Sequence, residues 1–341
     1  MRRSFASDNN APVAPEIMQA IIDANAGDAI GYGEDAWTER AIERFKEQFG
    51  EQTQVFFTFN GTGANVAALS SVLHPWEAVV AAASAHLQTD ECGALERFSG
   101  SKVIPIAAKE GKLRPADIET HLHAGQDVHF PQVRAVSISQ ATEFGDVYEI
   151  EELRELCSFA HECGLIVHVD GARLANAAVA LGATLRDTTV EAGVDVLSFG
   201  GTKNGLMLGE AMCFFKPDVD AGAAPFVQKQ SMQLGSKMRY LGAQLGALLT
   251  DERWSRYAAH ANSMAARLYD RVRAIPGIRV TRPVRCNSVF VTLDRTAMEK
   301  IRRQYFFYLF DESLPEVRWM THWATTAQDV DEFADCIERA V

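Results

Sequence analysis

No stretch of this 341-residue chain approaches the ~20 apolar residues that a membrane span requires. Its opening run, MRRSFASDNN, carries basic residues with no apolar segment behind them. Both absences point to a cytoplasmic protein. Positive charge is also scarce: 33 Lys and Arg against 45 Asp and Glu leave a net charge of −12. Binders of nucleic acid or anionic membrane usually present a basic face, so neither is expected as a partner, and any anion must be held locally. The six cysteines form no C-x-x-C pair, and several sit in apolar patterns such as AMCFF (211–215). Reduced core or helix thiols are expected, with no disulfide and no metal site. Internal repeats, low-complexity tracts and Gly/Ser linkers are all missing.

What is present is enough apolar material, 47% of residues, to bury a large core. Short apolar runs recur: VFFTF (55–59), AVVAA (78–82), KVIPI (102–106), AVSIS (135–139), LIVHV (165–169), VDVLSF (194–199) and EAMCFF (210–215). Amphipathic stretches separate them, such as EIEELRELCSFAHECG (149–164), with acids in its first turn and Gly164 at its stop. That alternation predicts an α/β fold, a mostly parallel seven-stranded sheet covered by helices. From about 225 the pattern turns helical until Pro276-Gly277. Then IRVTRPV (278–284), NSVFVTL (287–293) and VRWMTHW (317–323), with helices near 296–304 and 327–340, read as a smaller α/β unit. The expected division is a large domain over 1–247, including an N-terminal arm, and a small C-terminal domain over 248–341.

Ligands of such sheets collect outside the carboxyl ends of the strands. Four segments fall there. In FNGTGAN (59–65), Gly61, Thr62 and Gly63 can offer backbone N–H groups and a hydroxyl at a helix start, an anion site suited to a phosphate. A plain turn and cap would look the same. In SAHLQTDECGA (84–94), His86 can stack on a planar ring or relay a proton, and Glu91 can orient it or a water; a solvated loop histidine is the competing reading. His129, in DVHFP, carries the same ambiguity.

The third segment, HVDGARLANAAVALG (168–182), brings Asp170 and Arg173 off a strand end three residues apart. A buried carboxylate beside a heteroaromatic N–H⁺ keeps that ring protonated and able to accept electrons. An arginine there can grip a carboxylate bidentately. The alternative is an acid on a dinucleotide ribose, but no G-x-G-x-x-G lies ~20 residues upstream. The fourth, SFGGTKNGLMLGEA (198–211), sets Lys203 among glycines at a sharp turn, where a partly desolvated amine can form a Schiff base. Lysine and carboxylate, each at its own strand tip, match pyridoxal phosphate, held by its aldehyde and its ring nitrogen.

Those segments, together with FASDN (5–9), YGEDAWTE (32–39), SISQATEFG (137–145), SKMRYL (236–241) and VRWMTHWATT (317–326), resemble the low-specificity L-threonine aldolases. These are aspartate-aminotransferase-like, fold type I pyridoxal phosphate enzymes, and DGAR-x-x-NA followed by G-TKNG resembles the bacterial branch that includes phenylserine aldolase. The resemblance implies Lys203 as the Schiff-base lysine and Asp170 as partner of the pyridine nitrogen. It implies His86 stacked on the ring, and His86 and His129 near the β-hydroxyl. Gly61 and Thr62 would hold the phosphate; Ser7, Arg173 and Arg318 would hold the substrate carboxylate. It further implies a homodimer or homotetramer with sites at a subunit interface, reached by Tyr32 and Arg239. Two departures stand out. FASDN replaces the R-S-D-T of many members around Ser7. QKQSMQLGSKMR replaces a glycine-rich K-x-x-G-G-G-M-R, leaving Lys229, Lys237 or neither as a phosphate contact.

The expected reaction is retro-aldol cleavage of L-threonine, L-allo-threonine and related β-hydroxy-α-amino acids to glycine and an aldehyde. A phenylserine-preferring aldolase, or a β-eliminating lyase or aminotransferase of the same fold, would share Lys203 and Asp170. A non-catalytic cofactor binder and a nicotinamide oxidoreductase are the remaining rivals.

Overall fold

The computed structural model describes residues 3–122, 127–216, 219, 221–311 and 313–341. The seven apolar runs form β1 (Gln54–Thr58), β2 (Glu77–Ala82), β3 (Lys102–Ile106), β4 (Gln132–Ser139), β5 (Ile166–Gly171), β6 (Val196–Gly200) and β7 (Glu210–Phe214). They make one sheet, in the order β1-β7-β6-β5-β4-β2-β3. The expected α/β fold is therefore borne out. β3, β2, β4, β5 and β6 pair in parallel, while β7 runs antiparallel to β6 and β1. Every residue of β5 and β6 is buried, as parallel strands covered on both faces require.

This topology decides what meets at the carboxyl edge. β2, β4, β5 and β6 all end there, delivering His86, Ser139, Asp170 and the Gly201–Lys203 turn. β1 reaches the same edge because two antiparallel steps across β7 return it to the direction of β6. Thr58 and Gly200 thus both pair with Glu210.

A second sheet holds β8 (Arg279–Val280), β9 (Ser288–Thr292), β10 (Leu309–Asp311) and β11 (Glu316–Met320), in the order β10-β11-β9-β8, wholly antiparallel. The expected strand IRVTRPV shrinks to two residues, since Pro283 has no N–H to give a ladder. Three-residue β10 escaped notice because it is short and only partly buried. The helix Arg253–Val272 serves two apolar cores: Trp254, Tyr257 and Ala258 pack into the core of the large sheet, and Ala265, Leu268 and Val272 into the second. Among the described residues no helix is long and apolar enough to cross a membrane.

The N-terminal arm also crosses between these cores. Phe5 is fully buried in the second, stacked on Phe333 with ring centroids 4.1 Å apart, and its carbonyl accepts the Met320 N–H at 2.8 Å. Three residues later the arm reaches the carboxyl edge of the large sheet. Phe5→Ala is expected to destabilise the protein by about 3–5 kcal/mol, the usual result of emptying a buried ring site. Urea unfolding measures it; a loss below ~1 kcal/mol would mean that the ring does not anchor the arm.

Candidate active site

A cleft of about 250 Å³ opens at the carboxyl edge, and Gly61, Thr62, His86, Asp170, Lys203 and Glu210 line it. A larger hollow, about 1070 Å³, lies at the opposite edge where β2, β4 and β5 begin. Size does not make it the better site. Its one deeply buried acid, Asp195, is already committed to His161 at 2.9 Å, Lys216 at 2.6 Å and the Val167 N–H at 2.8 Å. In the smaller cleft the Lys203 amine has no protein partner among the described residues.

Asp170 ends β5 with its carboxylate out of water. Its Oδ1 accepts the Ala172 N–H at 3.0 Å, and its Oδ2 accepts from Asn65 Nδ2, also at 3.0 Å. Burial pushes the carboxyl up, but the Lys203 charge, the Ala172 N–H and Asn65 outweigh burial and hold it below its usual range. Asn65 Nδ2 also donates to Glu91 Oε1 at 2.9 Å, and the same oxygen lies 2.8 Å from His86 Nδ1. Two carboxylates can accept only from the NH₂ end, which settles how the Asn65 amide points. A continuous chain therefore runs from Asp170 through Asn65 and Glu91 to His86. The Glu91 hydrogen bond raises the His86 pKa above its ordinary value, and leaves Nε2 without a partner among the described residues. Beneath Asp170, His168 is pinned between Ser137 and Ser198, each at 2.9 Å, and burial lowers it to about 4, so it is neutral.

Lys203 sits on a turn pressed against the sheet. A Cβ on Gly200 would meet the Ala172 backbone at 2.6 Å, and one on Gly201 would meet the Gly209 carbonyl at 2.6 Å, so only glycine fits either place. The Lys203 ammonium makes no hydrogen bond or ion pair among the described residues.

These residues fit pyridoxal phosphate on two structural grounds. At the start of the helix Gly61–Ser70, Asn60 caps the Gly63 N–H at 2.7 Å, while Gly61 and Thr62 have N–H groups with no intrahelical acceptor. A Cβ on Gly61 would meet nothing within 4 Å, so that corner has room.

Beside the cleft, Arg173 and Arg318 border a small hollow with Glu143 and Asn287. The bidentate grip expected of Arg173 is already used. Its Nε and Nη2 hold Asp8 at 2.7 and 2.9 Å, and Asn287 adds a third bond to Asp8 at 3.1 Å. Burial disfavours the Asp8 charge, but Arg173, Lys203 and Asn287 overcome it and hold the carboxyl well below its usual range. Arg318 lacks such a partner: Glu143 is 3.9 Å away. Burial and repulsion from Arg173 lower its pKa, so an incoming anion is what it lacks. Asp8, Asn65, Glu143 and Glu210 are the site residues that sequence reading missed. Asp8 and Asn65 sit inside quoted runs, FASDN and NGTGAN, and Glu210 is a lone acid heading an apolar strand.

Other expected residues lie elsewhere in this chain. His129 is exposed at the start of β4, the opposite end of that strand from Ser139, because the loop before a parallel strand enters at the amino edge. The Ser7 hydroxyl accepts the Asn9 N–H at 3.2 Å as a local cap. Tyr32, 56% exposed, stacks under the Lys229 ammonium at 4.9 Å, and Arg239 donates to the Gly27 carbonyl at 2.9 Å. Lys237 is exposed. This patch is outside the cleft wall of its own chain.

The sequence profile of the beta-eliminating lyase family matches residues 4–296. Aspartate aminotransferase from Thermus thermophilus shares the fold, with a TM-score of 0.68 at 16% identity over 97% of this chain and 89% of its own. Profile and fold define an α/β enzyme of the beta-eliminating lyase type. The low specificity L-threonine aldolase of a Pseudomonas species is 44% identical over 97% of this chain and 96% of its own. The solved threonine aldolase of Leishmania major superposes with a TM-score of 0.92 at 32% identity, covering 98% of each chain. The chain belongs to the low-specificity L-threonine aldolase family.

Asp8→Asn leaves the buried Arg173 charge uncompensated and is expected to cost about 3–5 kcal/mol at pH 7, read by urea unfolding. A depressed carboxyl stabilises above its unfolded pKa and loses that contribution as pH falls. The gap between wild type and variant should therefore narrow below about pH 4. A gap independent of pH would disprove the role of the Asp8 charge.

Proposed function

We propose that this chain is a pyridoxal phosphate-dependent aldolase that cleaves L-threonine, L-allo-threonine and related β-hydroxy-α-amino acids to glycine and an aldehyde. The observation that carries this reading is the convergence on one cleft of a free lysine, a buried charged carboxylate and a carboxylate-backed histidine, beside an arginine short of an anion. When bound, the cofactor supplies an electron sink for the pair released as a bond at Cα breaks.

The chain's own residues supply the rest. Lys203 offers the amine for the cofactor aldehyde; Gly61 and Thr62 offer N–H groups and a hydroxyl to its phosphate. Asp170 keeps a proton on the ring nitrogen, because a charge already held below its usual pKa does not take that proton away. Arg318, with the remaining Nη1 of Arg173, receives the substrate carboxylate and so decides which bond at Cα is aligned for breaking. His86 takes the β-hydroxyl proton. A carboxylate oxygen only accepts, so the imidazole proton stays on Nδ1 toward Glu91 and Nε2 is the base. The C–O⁻ pair then becomes the aldehyde carbonyl as the Cα–Cβ bond breaks, and a proton returned to Cα gives glycine.

A homo-oligomer with sites near subunit contacts goes with this reading. Tyr32, Phe226 and Met232 leave large apolar side chains exposed around the Lys229–Arg239 segment, more than a lone chain needs. His129, Tyr32 and Arg239 would then serve a neighbouring copy's cleft.

The test is aldehyde release from L-threonine, L-allo-threonine and L-phenylserine. Lys203→Ala is expected to abolish multiple turnover, and Asp170→Ala to lower kcat on the order of 10²–10³-fold with little change in folding. Pyruvate or a keto acid in place of aldehyde would move the chemistry to β-elimination or transamination. A second expectation concerns pH. Because Glu91 raises the His86 pKa and the neutral ring is the base, Glu91→Gln should shift the acidic limb of kcat/KM to lower pH; an unmoved limb would remove His86 from that step.

A further inference from the structure

Glu210 is a buried acid that the chemistry above leaves unused. It heads β7 between Gly200 of β6 and Thr58 of β1, is 7% exposed, and lines the cleft together with Lys203. The rest of its strand, Ala211 to Phe214, is apolar and buried, so nothing local asks for a carboxylate. Its Oε2 accepts the Gly201 N–H at 2.5 Å, and the Thr202 hydroxyl and N–H also favour its charged form. Gly201 and Thr202 are the two residues before Lys203.

The electrostatics single out the same residue. Lys203 acts on three carboxyls, Asp8, Asp170 and Glu210. Asp8 is committed to Arg173, and Asp170 to Asn65 and the Ala172 N–H. Glu210 forms no ion pair among the described residues. The elements packed on β7 are β1, β6 and the helix Gly61–Ser70, and none carries a titratable side chain. Lys203, on the wall of the same cleft, is the charged side chain that acts on it, with Asp170 and Asp8 in that lysine's field.

We propose that Glu210 is the positioning residue of Lys203: its carboxylate fastens the Gly201–Lys203 turn to the sheet, and its negative charge on the wall of the same cleft favours the protonated form of the lysine-bound cofactor. The inference rests on Lys203 being the lysine that holds pyridoxal phosphate. Burial drives Glu210 up to about 7, against the pull of Thr202, Gly201 and Lys203. Its ionised form therefore opposes folding, which is the mark of a group kept for something other than stability.

Two variants separate the hydrogen bond from the charge. Glu210→Gln keeps an amide oxygen for the Gly201 N–H and removes the charge; Glu210→Ala removes both. Three readouts with pyridoxal phosphate as probe suffice: the pH midpoint of the visible absorbance of the lysine-bound cofactor, the cofactor Kd from titrating apoenzyme, and the apoenzyme Tm. The midpoint is expected to fall by about one pH unit in both variants, roughly a tenfold loss of proton affinity. The Kd should stay within about threefold of wild type for Gln and weaken roughly tenfold for Ala. For a raised carboxyl, the cost of the charged form is absent below the ordinary carboxylate range and complete above about pH 7. The Gln variant should therefore gain Tm relative to wild type between pH 5 and pH 8. An unmoved midpoint in both variants, with or without a fall in Tm, would overturn the proposal and leave Glu210 a packing residue. Wild type whose absorbance matches that of Lys203→Ala would instead overturn the role of Lys203 itself.

Discussion

Asp170 carries a negative charge into the dry carboxyl edge of a parallel sheet, where a lone ion would cost several kcal/mol, and the groups that offset it are those from which the cleft is built. Ala172 turns its N–H back on the carboxylate, Asn65 reaches over from the neighbouring helix, and Lys203 contributes its field from the next strand. Because Asn65 has a second N–H to give, it ties Glu91, and through Glu91 the His86 ring, to the same point. One buried charge is thereby tied to the orientation of the His86 ring at the other end of the chain.

The arginines follow the same electrostatic rule with the sign reversed. Two guanidiniums share a poorly solvated corner: Arg173 is held bidentately by Asp8 on the N-terminal arm, whereas Arg318 meets Glu143 at 3.9 Å. Phe5 in the second core holds that arm down, so the stability of the smaller sheet and the charge balance of the cleft are linked by three residues of chain. The more weakly paired of the two, Arg318, comes from β11 of the smaller sheet. An anion seated between Arg173 and Arg318 would bridge the two sheets.

The seven strands of the large sheet were legible because buried parallel strands leave continuous apolar runs with glycine and helix signals between them. That Lys203, Asp170, His86, Gly61 and Thr62 come together was legible because each lies close behind such a run, and the carboxyl ends of the strands meet at one cleft. Asp8, Asn65 and Glu143 left no comparable trace. The Asn65 bond to Asp170 spans 105 residues and the Asp8 bond to Arg173 spans 165, and periodicity carries no information about such pairings. Arg173 shows the same limit, since an arginine two bonds deep in a protein carboxylate reads no differently from one awaiting a substrate.

The order of apolar and polar residues by itself determined the secondary structure, the fold class and which loops lie at the ends of the strands, because hydrophobic burial and turn chemistry act over a few residues at a time. Tertiary structure alone decided which of those loop residues touch, which charges are already neutralised, and which remain free for a ligand. Those outcomes depend on desolvation and on distances between strands far apart in the chain. His129 and Lys203 look equally available as letters; the direction of β4 and the path of the chain across β7 put one at the amino edge of the sheet and the other in the cleft.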